Sequence, residues 1–141
     1  MSDQNKTPVD CVGIVCFRDN DVLLIQRGKP PRIGEWSIPG GRIESAESEL
    51  DAAIRELEEE TSILAKIVSK VEIVNASFEG ITYRLHDYAA IWESGEPQAG
   101  DDAMNAEFMP LEKALALNMW SETKRIILKS HKILTEKGHF K

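Results

Sequence analysis

The sequence contains few of the features that mark secreted, membrane-spanning or disulfide-stabilised proteins. Only two cysteines occur among its 141 residues, so a disulfide framework is excluded as the basis of the fold. No apolar run approaches the roughly 20 residues that a membrane-spanning helix needs. The N-terminal stretch MSDQNKTPVD also lacks the apolar segment of a secretory signal. We therefore expect a cytoplasmic protein with no membrane partner.

Basic residues are too few to suggest a long nucleic acid as partner. The chain has 17 Lys and Arg against 24 Asp and Glu, which gives a formal net charge of −7, whereas binding to long nucleic acids depends mainly on cationic contacts with phosphates.

Cys11 and Cys16 are five residues apart on a predicted strand, so they point to opposite faces and are expected to be reduced core thiols. With 42% hydrophobic and 29% charged residues, the composition predicts a flexible tail at 1–8 and one globular domain at 9–141.

Negative charge is concentrated between residues 41 and 63, GRIESAESELDAAIRELEEETSI. This stretch contains eight carboxylates and two arginines, a net charge of −6, while the whole chain carries −7. Neighbouring carboxylates repel each other, so a bound divalent cation is one explanation. A solvated acidic helix face is the usual alternative, and the spacing of the acids distinguishes between the two.

Helical periodicity separates these acids into groups. From Leu50 onward, four apolar residues recur at i, i+3, i+4 and i+7 and predict a stripe that faces the core, namely Leu50, Ala53, Ile54 and Leu57. Glu56, Glu59 and Glu60 form a second stripe at i, i+3 and i+4. At the border of the buried face, these oxygen ligands suit Mg2+, for which Mn2+ can substitute. Glu58 projects away, and Ser45 is the predicted N-cap.

The same residues resemble the signature of the Nudix hydrolase family. In the matching pattern, five residues separate Gly41 from Glu47, and seven residues separate Glu47 from Arg55-Glu56-Leu57. One further residue precedes Glu59-Glu60, and Thr61 precedes the last two positions, 62 and Ile63. The family has glycine at position 62, where this chain has Ser62. That glycine closes the helix in a left-handed conformation, and serine can replace it at a cost of roughly 1 kcal/mol.

The resemblance implies an α/β Nudix fold, with a mixed β-sheet sandwiched between α-helices. It implies that the metal ligands are Glu56, Glu59 and Glu60. The general base would be Glu56 or a carboxylate from the 101–107 stretch, where Glu107 is the first candidate and Asp101 and Asp102 compete with it. Arg55 joins the catalytic set as the residue that orients Glu47 or another helix carboxylate.

The stretch before the acidic helix contains the candidates for substrate binding. Arginine offers oxyanions a fork of donors, which makes phosphate contacts plausible for Arg27, Arg32 and Arg42. For Arg32 a solvated loop charge is an equal alternative. Trp36 is expected either to flank a base or to be buried in the core. Gly40 and Gly41 allow the backbone to approach a ligand closely.

The remaining elements follow from apolar alternation and turn residues. The sequence predicts a hairpin of strands at 9–17 and 22–26, and an antiparallel pair at 63–76 and 81–92. A short strand at 105–109 precedes helices at 111–117 and 121–137. The last helix is predicted to begin with Ser121 as N-cap and to bury Ile126, Ile127, Leu128, Ile133 and Leu134. This order predicts a mixed sheet between helices.

The resemblance also implies a reaction, the hydrolysis of a phosphoric anhydride in a nucleoside diphosphate linked to another group. ADP-ribose or a nucleotide sugar is the first choice, because GDDA and EFMPL near residues 100–111 are similar to ADP-ribose pyrophosphatases. The alternative is a nucleoside triphosphate, including an oxidised one, cut to monophosphate and pyrophosphate. A third hypothesis is a nucleotide-sensing Nudix module without turnover. A homodimer is expected on the resemblance alone.

Overall fold

The computed structural model describes residues 7–30, 32–100 and 102–140. Of the predicted N-terminal tail, Thr7 and Pro8 lie directly before the first strand, and residues 1–6 lie outside the described residues. Across these ranges the elements are, in chain order, β1 (Val9–Arg18), β2 (Asp21–Arg27), β3 (Trp36–Ser37), β4 (Gly40–Arg42), α1 (Glu49–Thr61), β5 (Leu64–Phe78), β6 (Ile81–Ser94), β7 (Ala103–Pro110), α2 (Leu111–Leu115) and α3 (Ser121–Glu136).

β1 lies at the centre of a seven-stranded sheet with the order β3-β2-β1-β6-β5, to which β4 adds beside β1 and β7 beside β2. β1 pairs antiparallel with β2, with Phe17 opposite Val22, as the hairpin prediction requires. β1 also pairs in parallel with β6, and this register places Gly13 beside Asp87. β5 and β6 form the predicted antiparallel pair, in which β5 is one long strand with bulges. The sheet is therefore mixed.

Side-chain alternation along β1 creates two cores, one on each face of the sheet. Ile14 and Cys16 pack with α1, whereas Val15 and Phe17 pack with α2 and α3. Helices therefore cover both faces, which confirms the predicted α/β architecture. The two cysteines are buried free thiols, and by the same alternation Cys11 lies on the α3 face and Cys16 on the α1 face.

The position of α1 differs in two respects from the prediction. Its N-cap is Ser48 and not Ser45, because the Ser48 hydroxyl accepts a hydrogen bond from the Asp51 N–H at 3.1 Å. Leu50 and Ile54 are exposed, and the buried residues are Ala52, Ala53, Leu57 and Thr61. The helix is therefore rotated so that its buried face consists mainly of small side chains. These allow the helix to lie close to the sheet, and Thr61 satisfies its hydroxyl by donating to the Leu57 carbonyl at 2.6 Å.

The end of α1 agrees with the predicted left-handed residue. Ser62 has φ 64° and ψ 18°, and its N–H donates to the Glu58 carbonyl at 2.8 Å. In α3 the N-cap is Trp120, which makes no side-chain capping bond, so the prediction of Ser121 as N-cap is wrong. Leu128 is also exposed rather than buried. No helix in the described ranges is both long and apolar enough to cross a membrane.

A chain of polar contacts fixes the start of α1 to the sheet. The Glu49 carboxylate accepts hydrogen bonds from Lys70 Nζ at 2.8 Å and from the Tyr88 hydroxyl at 2.5 Å. Lys70 Nζ also lies 3.0 Å from His86 Nδ1, and His86 Nε2 lies 2.9 Å from Asp10. Because an ammonium group only donates, Nδ1 must accept and Nε2 must carry the hydrogen bonded to Asp10. The helix that carries the acidic residues is thus anchored to β1, β5 and β6.

Candidate active site

The turn between β3 and β4 lies directly against the acidic face of α1. The Gly40 N–H donates to Glu60 Oε1 at 2.8 Å. A Cβ atom on Gly41 would overlap the carboxyl group of Glu56, so a larger residue there would displace that side chain from its position. The spacing of two glycines before the helix therefore serves to bring backbone and carboxylates together at one end of the sheet.

Arg55 holds the carboxylates on the outer side of this contact. Its guanidinium donates to Glu47 through Nε at 2.7 Å and through Nη2 at 2.9 Å, a bidentate pair. Nη1 donates to Glu56 at 2.8 Å and to Glu59 at 3.2 Å, and Nη2 also reaches the carbonyl of Arg42 at 3.0 Å. The hydrogen bonds from Arg55 hold the pKa of Glu47 at about 2. Arg55 thus orients Glu47 and the helix carboxylates, the role that the sequence predicts.

The three predicted metal ligands do not share one environment. Glu56 and Glu60 line a common cleft, whereas Glu59 is exposed and does not line it. Burial raises the pKa of Glu60 to about 7, opposed by the Gly40 hydrogen bond and reinforced by the charges of Glu56 and Asp102. Burial also raises the pKa of Glu56, against the hydrogen bond from Arg55. Two partly buried carboxyl groups therefore line the same cleft, where a bound cation would offset the repulsion between them.

The loop after β6 brings a further carboxylate to Glu60. The Gln98 N–H donates to the Thr61 carbonyl and the Gly100 N–H to the Glu60 carbonyl, both at 2.9 Å, so this loop caps the last turn of α1. Asp102, two residues after Gly100, lines the cleft and forms an ion pair with Lys29 at 2.7 Å. Asp101, the other competing carboxylate of this stretch, lies outside the described residues.

The cleft beside these carboxylates has a volume of about 820 Å³, within the ~300–1,000 Å³ typical of small-molecule sites. Three arginines line it, Arg27, Arg32 and Arg42, together with Gly40 and Gly41. Carboxylates and guanidinium groups in one cleft are the combination that a metal-bound phosphate chain requires.

Two predicted site residues lie elsewhere. Trp36 packs at the edge of the α3-side core, which agrees with the structural alternative for this residue, and among the described residues Trp120 is the tryptophan that lines the cleft. Glu107 lies on β7, directly opposite Leu24 of β2. Its side chain is on the same face of the sheet as that of Met109, the face that points away from α1. The structure therefore does not bring Glu107 to Glu56 and Glu60.

Sequence reasoning missed Trp120 and Asp87. Asp87 is a buried carboxylate on β6 that lines a smaller cavity continuous with the cleft. A signal for it was present, because a charged residue inside the apolar run of β6 is rarely buried without a function or a partner. Trp120 offered only a weak signal, an aromatic residue directly before a helix.

The residues at the cleft suit a divalent cation only after adjustment of the side chains. In residues 7–30, 32–100 and 102–140, no group of three or more His, Cys, Asp or Glu side chains stands ready to hold a metal ion. Glu56 and Glu60 nevertheless offer partly buried carboxyl oxygens, and Asp102 lies at the same cleft. These are hard oxygen donors of the kind that Mg2+ prefers, with water completing its shell. The donor set therefore fits the predicted cation.

Comparisons with known proteins agree with this geometry. The sequence model of the NUDIX domain family matches residues 7–129. An ADP-ribose pyrophosphatase of Methanocaldococcus jannaschii is 33% identical over 106 residues, 74% of this chain and 63% of that protein. The CTP pyrophosphohydrolase of Escherichia coli is 31% identical over 97 residues, 64% of this chain and 72% of that protein. The crystal structure of a MutT NUDIX hydrolase from Burkholderia pseudomallei aligns with a TM-score of 0.79 and 26% identity, covering 88% of this chain and 98% of that one.

The chain spans less than two thirds of the length of several curated relatives that it matches. The family match itself covers well over half of the chain and includes the whole acidic segment from Gly41 to Ile63. Sequence, sheet topology and the carboxylate cleft thus lead to one classification: the chain belongs to the Nudix family.

Proposed function

We propose that the chain is a metal-dependent pyrophosphohydrolase that cleaves a phosphoric anhydride in a nucleoside diphosphate linked to another group. The observation that carries this proposal is that Glu56 and Glu60 share one cleft with Arg27, Arg32 and Arg42. Carboxylates can hold a divalent cation, and arginines can hold phosphate oxygens at the same time. A site for a neutral ligand would need neither group in such number.

Glu56 and Glu60 would hold Mg2+, or Mn2+ in its place, together with Asp102 at the same cleft. Glu59, the third predicted ligand, would have to turn its side chain into the cleft to join them. When bound, the metal supplies charge neutralisation for the phosphates and lowers the pKa of a coordinated water. The remaining contributions come from the chain itself. Glu56 would accept the proton of the attacking water, and Arg55 is the positioning residue, because its Nη1 holds the Glu56 carboxyl at 2.8 Å.

Arg27 and Arg42 would bind the phosphate chain beside the carboxylates. Both line the cleft, and Arg42 is fixed by its position on β4, where its carbonyl accepts from Arg55. The Gly40 and Gly41 backbone would lie under the phosphates. A guanidinium donates in a plane with a fixed fork, so these residues would orient the anhydride as well as neutralise it.

ADP-ribose or a nucleotide sugar is our first choice of substrate. Support comes from the ADP-ribose pyrophosphatase of Methanocaldococcus jannaschii, at 33% identity, and from the presence of an inner cavity beside the outer cleft. Two compartments suit a substrate with a different group on each side of its diphosphate. A nucleoside triphosphate is the second candidate, because the Escherichia coli relative is a CTP pyrophosphohydrolase.

Product analysis separates the two candidates. Each substrate is incubated with the protein and Mg2+ or Mn2+, and the products are separated by ion-exchange chromatography. ADP-ribose hydrolysis would release AMP and ribose 5-phosphate, whereas triphosphate cleavage would release pyrophosphate. Hydrolysis of neither class, combined with tight nucleotide binding, would instead support the sensing module without turnover.

The mechanism is tested by removing one carboxylate at a time. Glu56→Gln and Glu60→Gln should each lower kcat by about a hundredfold or more, because general base catalysis alone contributes about 10²–10⁴-fold. Glu58→Gln is the matched control, since Glu58 is an exposed acid on the same helix, and it should retain wild-type turnover. Equal activity of the Glu60 variant and the Glu58 variant would contradict the assigned roles.

Two further expectations belong to this proposal. We infer a cytoplasmic location, which agrees with two buried free thiols in place of a disulfide. A homodimer is inferred from the family resemblance, and sedimentation analysis at several concentrations would test it.

A further inference from the structure

A second, inner cavity of about 250 Å³ opens beside the cleft. It lies between the α3 face of the sheet and the start of α3, and it shares Arg27, Gly40, Glu60 and Trp120 with the cleft. Its volume is below the ~300–1,000 Å³ of a complete small-molecule site. The cavity can therefore hold one part of a ligand whose phosphates lie in the cleft.

Asp87 provides a carboxyl group inside this cavity. The residue is only 5% exposed, and among the described residues its side chain has no hydrogen-bond or ion-pair partner. Two other carboxylates on the sheet differ, since Asp10 pairs with Arg84 and Glu72 pairs with Arg125. Burying a carboxyl group without a partner is costly, so a partner supplied by a ligand would offset that cost.

The backbone of β1 is adapted to this carboxyl group. Gly13 is the residue beside Asp87 in the parallel β1–β6 register, and a Cβ atom at Gly13 would overlap Asp87 Oδ1. Any larger residue at position 13 would displace the carboxyl group or fill the cavity. Glycine thus leaves both the carboxyl group and the space in front of it.

The remaining walls are suited to a flat, mainly apolar ring. Val74, Leu85 and Ile126 supply aliphatic surface, and Trp120 supplies an aromatic one. Glu122 also borders the cavity, but its carboxylate is engaged by Arg125 at 2.9 Å. Glu60 accepts from the Gly40 N–H, and Ser37 and Thr123 add hydroxyl groups to the cavity wall. Asp87 is therefore, within the described ranges, the carboxyl group of this cavity that no protein donor engages.

We propose that Asp87 selects the substrate by accepting a hydrogen bond from the exocyclic amino group of a nucleobase seated in the inner cavity. This inference rests on the proposed function, since it places the base beside the phosphate cleft. A carboxyl group keeps at least one acceptor oxygen whether or not it is ionised, so an amino group always finds an acceptor. A base with an oxo group at the same position supplies no hydrogen there, and against the ionised carboxylate it brings two acceptors together.

The expected discrimination follows from the cost of an unsatisfied buried group. A site that hydrogen-bonds a ligand N–H rejects an analogue without it, because the buried polar partner is left alone. One such loss corresponds to roughly a 10- to 100-fold change in affinity. Adenine and cytosine should therefore bind more tightly than hypoxanthine and uracil, which carry an oxo group in place of the amino group.

The test measures binding without turnover. Isothermal titration calorimetry in excess chelator compares AMP with IMP and CMP with UMP, and ribose 5-phosphate reports the contribution of the phosphate alone. The wild-type protein should bind the amino member of each pair roughly 10- to 100-fold more tightly. In Asp87→Leu, which removes the acceptor and keeps a similar size, the ratio should fall to near one while binding of the deaminated member is retained.

Glu122→Gln is the matched control, because it changes a second carboxylate at the same cavity and should keep the preference for the amino member. Equal binding of AMP and IMP by the wild-type protein would overturn the proposal, as would a preference that survives Asp87→Leu. Binding of AMP that does not exceed that of ribose 5-phosphate would also overturn it. The two proposals can fail separately. A base preference without hydrolysis would contradict only the proposed function. Hydrolysis without a base preference would contradict only the role of Asp87.

Discussion

Replacing Asp87 with asparagine should change how the stability of the protein depends on pH. Burial, together with the charge of Glu72, raises the pKa of Asp87 from 3.8 to about 7, opposed by the charge of Arg125. Between these two values, the unfolded chain releases a proton that the folded protein keeps. The free energy of unfolding of the wild-type protein should therefore fall as pH rises from about 4 to about 7.

The magnitude follows from the width of this window. It spans roughly three pH units, each worth about 1.36 kcal/mol, so the loss is at most about 4 kcal/mol. Asparagine cannot ionise. Relative to the wild type, the stability of Asp87→Asn should therefore rise through the window, by as much as about 4 kcal/mol, and stay constant above it. Urea unfolding followed by tryptophan fluorescence at a series of pH values measures this difference.

Asp10→Asn is a control with the opposite sign. Hydrogen bonds from Arg84 and His86 lower the pKa of Asp10 from 3.8 to about 2. Ionised Asp10 therefore stabilises the fold above the unfolded-state pKa, and this contribution disappears as pH falls through the folded-state value. Asp10→Asn should be less stable than the wild type at neutral pH. A stability difference for Asp87→Asn that is independent of pH would refute the reasoning, as would a difference that falls as pH rises from about 4 to about 7.

Three other substitutions test local conclusions. Ser62→Gly should raise the thermal midpoint, because φ of 64° costs a non-glycine residue roughly 1 kcal/mol, and an unchanged midpoint would argue against strain there. Glu107→Gln should leave kcat/KM near the wild-type value, since Glu107 lies opposite to α1; a large loss in steady-state assays would restore it as a base. Arg55→Lys should lower kcat about tenfold or more with little change in KM, because lysine cannot keep the two hydrogen bonds to Glu47. A change confined to KM would contradict a positioning role for Arg55.

The helix and its contacts with neighbouring sequence were accessible from the sequence. The i, i+3 and i+4 spacing separates Glu56 and Glu60 from the exposed Glu58, because helical geometry depends only on position along the chain. For Arg55 the sequence left two partners open, Glu47 or another helix carboxylate, and the structure shows hydrogen bonds to Glu47, Glu56 and Glu59. The domain boundary, the location and the homodimer stay predictions.

The face that a helix buries required the tertiary structure. Leu50 and Ile54 fit an apolar stripe, yet the sheet is covered by Ala52, Ala53 and Leu57. Periodicity defines the angle between residues, whereas the rotation of the helix depends on what it packs against. The polar contacts of Glu49 with Lys70 and Tyr88 join elements far apart in sequence.

The sequence by itself determined the order of strands and helices and the acidic helix, because these depend on spacing and local backbone preference, and the family pattern indicated the left-handed end at Ser62. Only the tertiary structure decided which carboxylate and which tryptophan reach the site. Trp120 lines the cleft and Trp36 does not, and Asp87 meets Gly13 only because β1 and β6 pair in parallel. Which residue lies beside a given strand residue depends on the partner strand and on the register, and the neighbouring residues in sequence encode neither of them.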